Sequence, residues 1–240
     1  MHGDGLQAAS RTATLGLRRI PLLEGLSDDA LETLARDCRW RTIAAGRSLI
    51  ARNAADRSVH FIVSGRVRVT IYSPSGRQVT FRDRYAGEFL GEISAFDGRP
   101  RSADAVAVES TLVASLAPEG FARLRQQQPM VGERLLVYLA TLVRNLSDRV
   151  IEVSTLGVQN RIHAELLRMA KDAGLHANRA RIDPAPRHAD LASVVSTYRE
   201  QVTRELSALA RAGLVAKDGT ALVLLDVARL EALVAAAAAP

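Results

Sequence analysis

The 240-residue sequence contains no run of roughly 18 consecutive apolar residues, the length a bilayer-spanning helix needs. Its opening, MHGDGLQAASRTATLGLRRIPLLEG, has no uninterrupted apolar stretch that could serve as an export signal. The expectation is a cytoplasmic protein with no membrane partner. One cysteine, Cys38, excludes an internal disulfide and is too few for a thiolate-held iron–sulfur cluster, which takes about four. The five histidines, at 2, 60, 163, 176 and 188, lack metal-ligand spacing, and no nucleophile can be nominated with a base. No metal, no prosthetic group and no enzyme activity are expected, and His60 and His163 read as core or surface residues.

What is present is ample apolar material, 48% of residues, enough for one large domain or two ordinary ones. The net charge of +6, from 32 Lys and Arg against 26 Asp and Glu, is compatible with a polyanion-binding surface without requiring one.

The apolar pattern changes period along the chain. From Ile43 to about Leu116 it repeats every two residues: SVHFIVSGRVRVTIY alternates, SPSG supplies a turn, QVTFRDRY resumes, and SADAVAVESTLVASL alternates again. Glycines 46, 65, 76, 87 and 91 fall at expected corners, so this stretch predicts an antiparallel sheet closed into a roll. After Pro129 the spacing becomes helical, with Leu135, Leu139, Leu142, Leu146, Val153 and Leu156 at steps of three and four, slipping near Arg149 and Val150. One long helix with an apolar seam follows, and a second copy of the same helix would cover that seam, which predicts a homodimer; the alternative is a helix that lies across its own roll. Gly157 interrupts the pattern as a hinge, and VQNRIHAELLRMAKDAG predicts a second amphipathic helix with Ile162, Leu166, Leu167 and Met169 inward. NRARIDPAPR reads as a short strand and loop, and residues 214–225 as a hairpin around Asp218-Gly219.

Between them, HADLASVVSTYREQVTRELSALARAGLV, residues 188–215, has the layout of two short helices joined by a tight turn. Leu191, Ala192, Val194 and Val195 form the buried side of the first; Val202, Leu206, Leu209 and Leu214 form that of the second. Tyr198, Arg199, Gln201, Thr203 and Arg204 leave the apolar stripe near the end that enters the major groove in helix-turn-helix docking. Arg pairs with guanine O6 and N7, and Glu accepts from cytosine N4, so Arg199, Glu200 and Arg204 are the expected base readers, with Tyr198 and Thr203 beside them. Double-stranded DNA is the expected partner.

Arg199-Glu200-x-Val202-x-Arg204 resembles the recognition-helix signature of the bacterial cyclic AMP receptor protein and FNR family. The similarity runs from about residue 20 to 230 in the same order of parts. It implies an α+β chain: an N-terminal tail (1–19), a cyclic-nucleotide-binding β-roll (20–128), a dimerisation helix (129–156) and a winged helix-turn-helix (157–240). Ser196 stands where relatives often have a glycine, and Ser can adopt the turn conformation at modest cost. The family also implies a two-fold symmetric DNA site and RNA polymerase as a further partner.

Within that family GEFLGEISAFDGRPRSA, residues 87–103, is similar to the phosphate-binding cassette of cyclic-nucleotide domains. The residue chemistry is consistent. Gly91 permits close backbone approach, and the residues after it can open a short helix whose amides face an anion. Arg101 offers a planar fork for phosphate oxygens, Ser102 a hydroxyl donor, and Glu92 an acceptor for a ribose hydroxyl; Ile93 lies between. An internal Glu92–Arg101 ion pair is the non-functional alternative. In cyclic AMP responders the purine meets a Thr and a Ser on the long helix. The matching positions here are Leu146 and Ser147, so Ser147 joins the candidate ligand residues. Cyclic AMP is the expected effector, with cyclic GMP, a cyclic dinucleotide or no ligand as alternatives, and a regulatory subunit acting on a protein partner as a more distant one.

Overall fold

The computed structural model describes residues 14–72 and 78–238. The chain divides into two compact units, Met1–Thr141 and Leu142–Pro240. The SPSG turn, with Gly76, and residues 1–13 of the expected tail lie outside the described residues.

Residues 14–18 are helical and a 3-10 turn spans Pro21–Leu23; helix α1 (Asp28–Asp37) follows, and its first turn is capped by the Ser27 hydroxyl, which accepts from the Ala30 amide. Eight strands follow: β1 (Arg39–Ile43), β2 (Ser48–Ile50), β3 (Val59–Ser64), β4 (Arg66–Tyr72), β5 (Gln78–Tyr85), β6 (Phe89–Leu90), β7 (Asp104–Ala107) and β8 (Thr111–Leu116). They form two antiparallel four-stranded sheets, ordered β1-β8-β3-β6 and β2-β7-β4-β5, which is the predicted roll. Between β6 and β7 the chain makes helix α2 (Glu92–Asp97); after β8 come α3 (Pro118–Gln127) and the long α4 (Pro129–Thr155).

Strand β3 departs from the half-buried pattern expected of it, because Val59, His60, Phe61 and Ile62 are all buried. Successive side chains of a strand face opposite ways, and here both faces are covered. Val59 and Phe61 belong to a core that includes Leu31 and Leu34 of α1, Phe121 of α3, and Val131 and Leu135 of α4. Ile62 belongs to a smaller cluster with Ile50, Val67, Leu90 and Ala105. Leu17 and Ile20 are also in the larger core, so the first unit's packing begins inside the stretch assigned to a tail.

The α4 seam needs correction. Leu135 is in the roll's core, Leu139 packs against it, and Leu156 is buried, whereas Leu136, Val143, Leu146, Val150 and Val153 are exposed. The leucine spacing had joined residues from two faces of one helix. The exposed set has a regularity of its own: 136, 143 and 150 are seven apart, and 146 and 153, also seven apart, interleave with them.

The second unit continues from α4 into α5 (Val158–Ala173), then β9 (Leu175–His176), β10 (Arg179–Ile182), α6 (His188–Val194), α7 (Arg199–Arg211), β11 (Val215–Asp218), β12 (Ala221–Leu224) and α8 (Val227–Ala238). Its sheet is ordered β11-β12-β10-β9, and the β11–β12 hairpin is the predicted one. Ile162, Leu166, Leu167, Leu191, Ala192, Val195, Val202, Leu206, Leu209 and Leu214 share one core; Met169 packs at its margin. Val194, expected inward, is half-buried. No described helix is long and apolar enough to cross a membrane, and no metal-holding group of His, Cys, Asp and Glu occurs among the described residues.

Candidate ligand cassette and nucleic-acid interface

Gly91 sits at the N-cap of α2 with φ of 90°, a left-handed conformation that an L side chain adopts only with strain. A Cβ there would also come within 2.6 Å of both Arg101 Nη1 and the Ser58 carbonyl oxygen. The glycine is required by the packing of Arg101.

Arg101 is 3% exposed. Its Nη1 donates to the Gly91 carbonyl at 3.0 Å; its Nη2 donates to Asp56 Oδ2 and the Ser58 carbonyl, both at 2.6 Å, and lies 3.4 Å from His60 Nε2. Nε is buried and has no acceptor among the described residues. A guanidinium can only donate, so His60 accepts through Nε2 and carries its proton on Nδ1, which lies 2.8 Å from Ser115 Oγ. Burial, then the Arg101 charge, lowers the His60 pKa to about 4.

Glu92, next to Gly91, is 5% exposed, and burial raises its carboxyl above the usual range against the opposing pull of Arg84 and Tyr138. Its Oε1 accepts from the Tyr138 hydroxyl of α4 at 3.4 Å. Arg84 of β5 donates to that same hydroxyl and to Glu88 Oε1, the latter at 2.9 Å, while the Tyr138 ring packs on Phe89 with centroids 4.8 Å apart. Glu92 and Arg101 do not form an ion pair among the described residues: Glu92 accepts from Tyr138, and Arg101 pairs with Asp56. Ser102 and Ile93 are exposed beside them. The first unit therefore gathers Gly91, Glu92, Ile93, Arg101 and Ser102 in one loop. Ser147 belongs to the second unit; it is exposed on α4, and its hydroxyl donates to the Val143 carbonyl at 3.0 Å.

In the second unit, α6 and α7 form the predicted helix pair. Ser196 in the turn has φ of 56°, the conformation for which a glycine is common. Arg161 of α5 fastens that turn, donating from Nε to the Val195 carbonyl at 3.0 Å and from Nη2 to the Ser196 carbonyl at 3.4 Å. Tyr198 is the N-cap of α7 and not a residue within it; it is exposed, as are Arg199, Glu200, Thr203 and Arg204. Neither Arg199 nor Arg204 is committed to an ion pair among the described residues. The Thr203 hydroxyl donates to the Arg199 carbonyl and lies 2.7 Å from His188 Nδ1. Gln201, expected to point outward, is half-buried and accepts from the Thr197 hydroxyl.

Periodicity alone did not reveal Glu205, a buried carboxylate on the inner side of α7. It lies 2.7 Å from His163 Nε2 and accepts from Gln159 at 2.7 Å. Asp56, Arg84, Tyr138 and Arg161 were missed as well. Their partners are 34 to 54 residues away in the sequence, beyond any local spacing signal.

These two sites match known domains. Residues 40–128 match the cyclic nucleotide-binding domain, and residues 160–233 match the Crp-like helix-turn-helix domain. The cyclic AMP receptor protein of Thermus thermophilus is 29% identical over 197 residues, 81% of this chain and 88% of that protein. The CRP-like cAMP-activated global transcriptional regulator of Mycobacterium tuberculosis is 23% identical over 89% of this chain and 96% of its own length. Among solved structures, the Thermus thermophilus catabolite activator protein aligns with a TM-score of 0.52 at 28% identity, covering 90% of this chain and 99% of that one. A CooA mutant from Carboxydothermus hydrogenoformans reaches 0.75 at 19% identity, covering 88% and 92%, a likeness of fold. Fold and matched domains together define a cyclic-nucleotide-binding transcription regulator. The chain belongs to the CRP/FNR family of bacterial transcription regulators.

Proposed function

We propose that the protein is a homodimeric cytoplasmic regulator whose affinity for DNA is set by cyclic AMP. The observation that carries this reading is a buried guanidinium, Arg101, whose Nε has no acceptor among the described residues, in the same loop as a buried carboxylate, Glu92, with which it forms no ion pair among the described residues. The two buried charges are not paired with each other, Arg101 being matched by Asp56 and Glu92 accepting from Tyr138, and a ligand with an anionic group and hydroxyls would use both. Arg101 and Ser102 would take the exocyclic phosphate, Glu92 a ribose hydroxyl, Gly91 and Ile93 the close backbone approach, and Ser147 the purine. The printed names of the relatives support cyclic AMP over other cyclic nucleotides. Leu146, in place of the threonine common in cyclic AMP responders, is the departure that makes base selectivity worth measuring.

Arg199, Glu200, Arg204, Tyr198 and Thr203 would meet DNA, with the two recognition helices of the dimer about 34 Å apart on a two-fold site. RNA polymerase is the further partner, and no catalytic step is assigned. Calorimetric titration with cyclic AMP, cyclic GMP and a cyclic dinucleotide tests the effector. Wild type should bind cyclic AMP most tightly and Arg101→Ala should lose that binding. Unchanged affinity in Arg101→Ala, or preference for another nucleotide, overturns the assignment.

A further inference from the structure

The loop of residues 51–58 holds a feature with no counterpart in that reading. Its backbone is pinned to the cassette, since the Asn53 amide donates to the Arg101 carbonyl at 2.9 Å and the Arg101 amide to the Ala54 carbonyl at 3.1 Å. The Asp56 side chain, however, is 57% exposed while the guanidinium it touches is 2% exposed. Asp56 Oδ2 stands 2.6 Å from Arg101 Nη2, and its Oδ1 accepts from the Ser58 hydroxyl at 2.8 Å and the Ser58 amide at 3.3 Å. Among the described residues no other carboxylate forms an ion pair with Arg101. The phosphate-binding arginine is thus neutralised by an internal anion on a solvent-facing side chain.

We propose that Asp56 is a tethered stand-in for the ligand's phosphate, occupying Arg101 in the empty cassette, and that a cyclic nucleotide binds by displacing it. This rests on the assignment of Arg101 to the phosphate. The exchange is matched in charge: a cyclic phosphodiester carries a single negative charge, as the carboxylate does, so the buried guanidinium is never left uncompensated. It is also local, because rotation of one exposed side chain releases Nη2 while the loop's backbone bonds persist. Holding the carboxylate there costs ligand affinity, since each charge-assisted hydrogen bond the phosphate gains replaces one already made. Asp56 therefore acts as a positioning residue that sets the concentration at which the regulator responds.

The test compares wild type, Asp56→Asn, Asp56→Glu and the double variant Asp56→Asn/Arg101→Ala, by cyclic AMP titration and by thermal unfolding with and without inorganic phosphate. Asp56→Asn should bind cyclic AMP about tenfold more tightly. It should melt lower than wild type in phosphate-free buffer and recover when phosphate is added. Asp56→Glu should restore wild-type affinity, and the double variant should lose the phosphate response. If Asp56→Asn binds cyclic AMP no better than wild type and gains no phosphate response, the stand-in role is overturned while the cyclic AMP assignment survives. If no variant binds cyclic AMP but Asp56→Asn alone gains the phosphate response, the stand-in role holds and the effector assignment falls.

Discussion

His60 illustrates how one buried side chain ties the cassette to solution conditions. Its Nδ1 proton goes to Ser115 and its Nε2 lone pair faces Arg101, so a second proton on the ring would oppose a guanidinium 3.4 Å away without solvent to screen the two. The folded pKa is lowered to about 4, whereas an unfolded histidine titrates near 6.5. Between those values the unfolded chain binds the proton first, so stability is complete above about pH 6.5 and falls as pH drops toward 4. The His60 contribution lost is on the order of 3 kcal/mol. Asp56, for which hydrogen bonds from Arg101 and Ser58 outweigh burial and lower the pKa to about 2, loses its contribution in a separate, more acid window. Urea midpoints from pH 7 to 4 should show this loss in wild type and a shallower slope in His60→Gln; equal slopes would remove His60 as the cause. The sequence marked Gly91, Glu92 and Arg101 as chemically unusual because all three lie in one loop. His60 was indistinguishable from an ordinary core histidine, because its significance depends on β3 lying beside β6 and β8, a long-range pairing with no local signature.

At the scale of elements, the roll and the helix-turn-helix were legible because strand and helix periods differ and the switch after Pro129 is abrupt. The face of α4 was not legible, because that helix carries two apolar stripes. Leu135 belongs to the stripe that closes the roll, and removing its side chain with Leu135→Ala should cost about 2 to 5 kcal/mol of folding stability. Val143, Leu146, Val150 and Val153 belong to the other, which stays exposed at 44 to 65%. An exposed heptad stripe of this kind is what a parallel partner helix covers, each side chain entering a hole between four others. The proposed dimer therefore depends on residues that contribute little to the fold of either unit. Val143→Lys should shift the protein to monomer in sedimentation velocity at concentrations where wild type is dimeric, and leave the far-ultraviolet circular dichroism unchanged. A dimer that persists in Val143→Lys and in Val150→Lys places the interface elsewhere.

For the whole molecule, the proposed function requires a small ligand in one unit to alter how a dimer holds DNA with another, and a ligand can do so only by binding one arrangement of the dimer better than the other. Base-reading residues and the ligand pocket should then separate experimentally. Arg199 and Arg204 are exposed and form no ion pair among the described residues, which leaves both available to base edges in the proposed DNA contact. Glu205, one residue beyond Arg204, faces inward to His163 and Gln159, which fixes the rotation of α7 and hence which side chains it presents. Arg204→Ala should cost about 1 to 3 kcal/mol on the preferred site and relax preference at a single base position. It should leave the cyclic AMP titration as in wild type, since the residue lies in the other unit. The measurement is competitive binding to a library of two-fold sites at one fixed salt concentration, because the phosphate contribution to affinity varies steeply with salt. A uniform loss across all sites, with a shallower salt dependence, would instead make Arg204 a contact to the phosphate backbone and shift base reading toward Arg199 and Glu200.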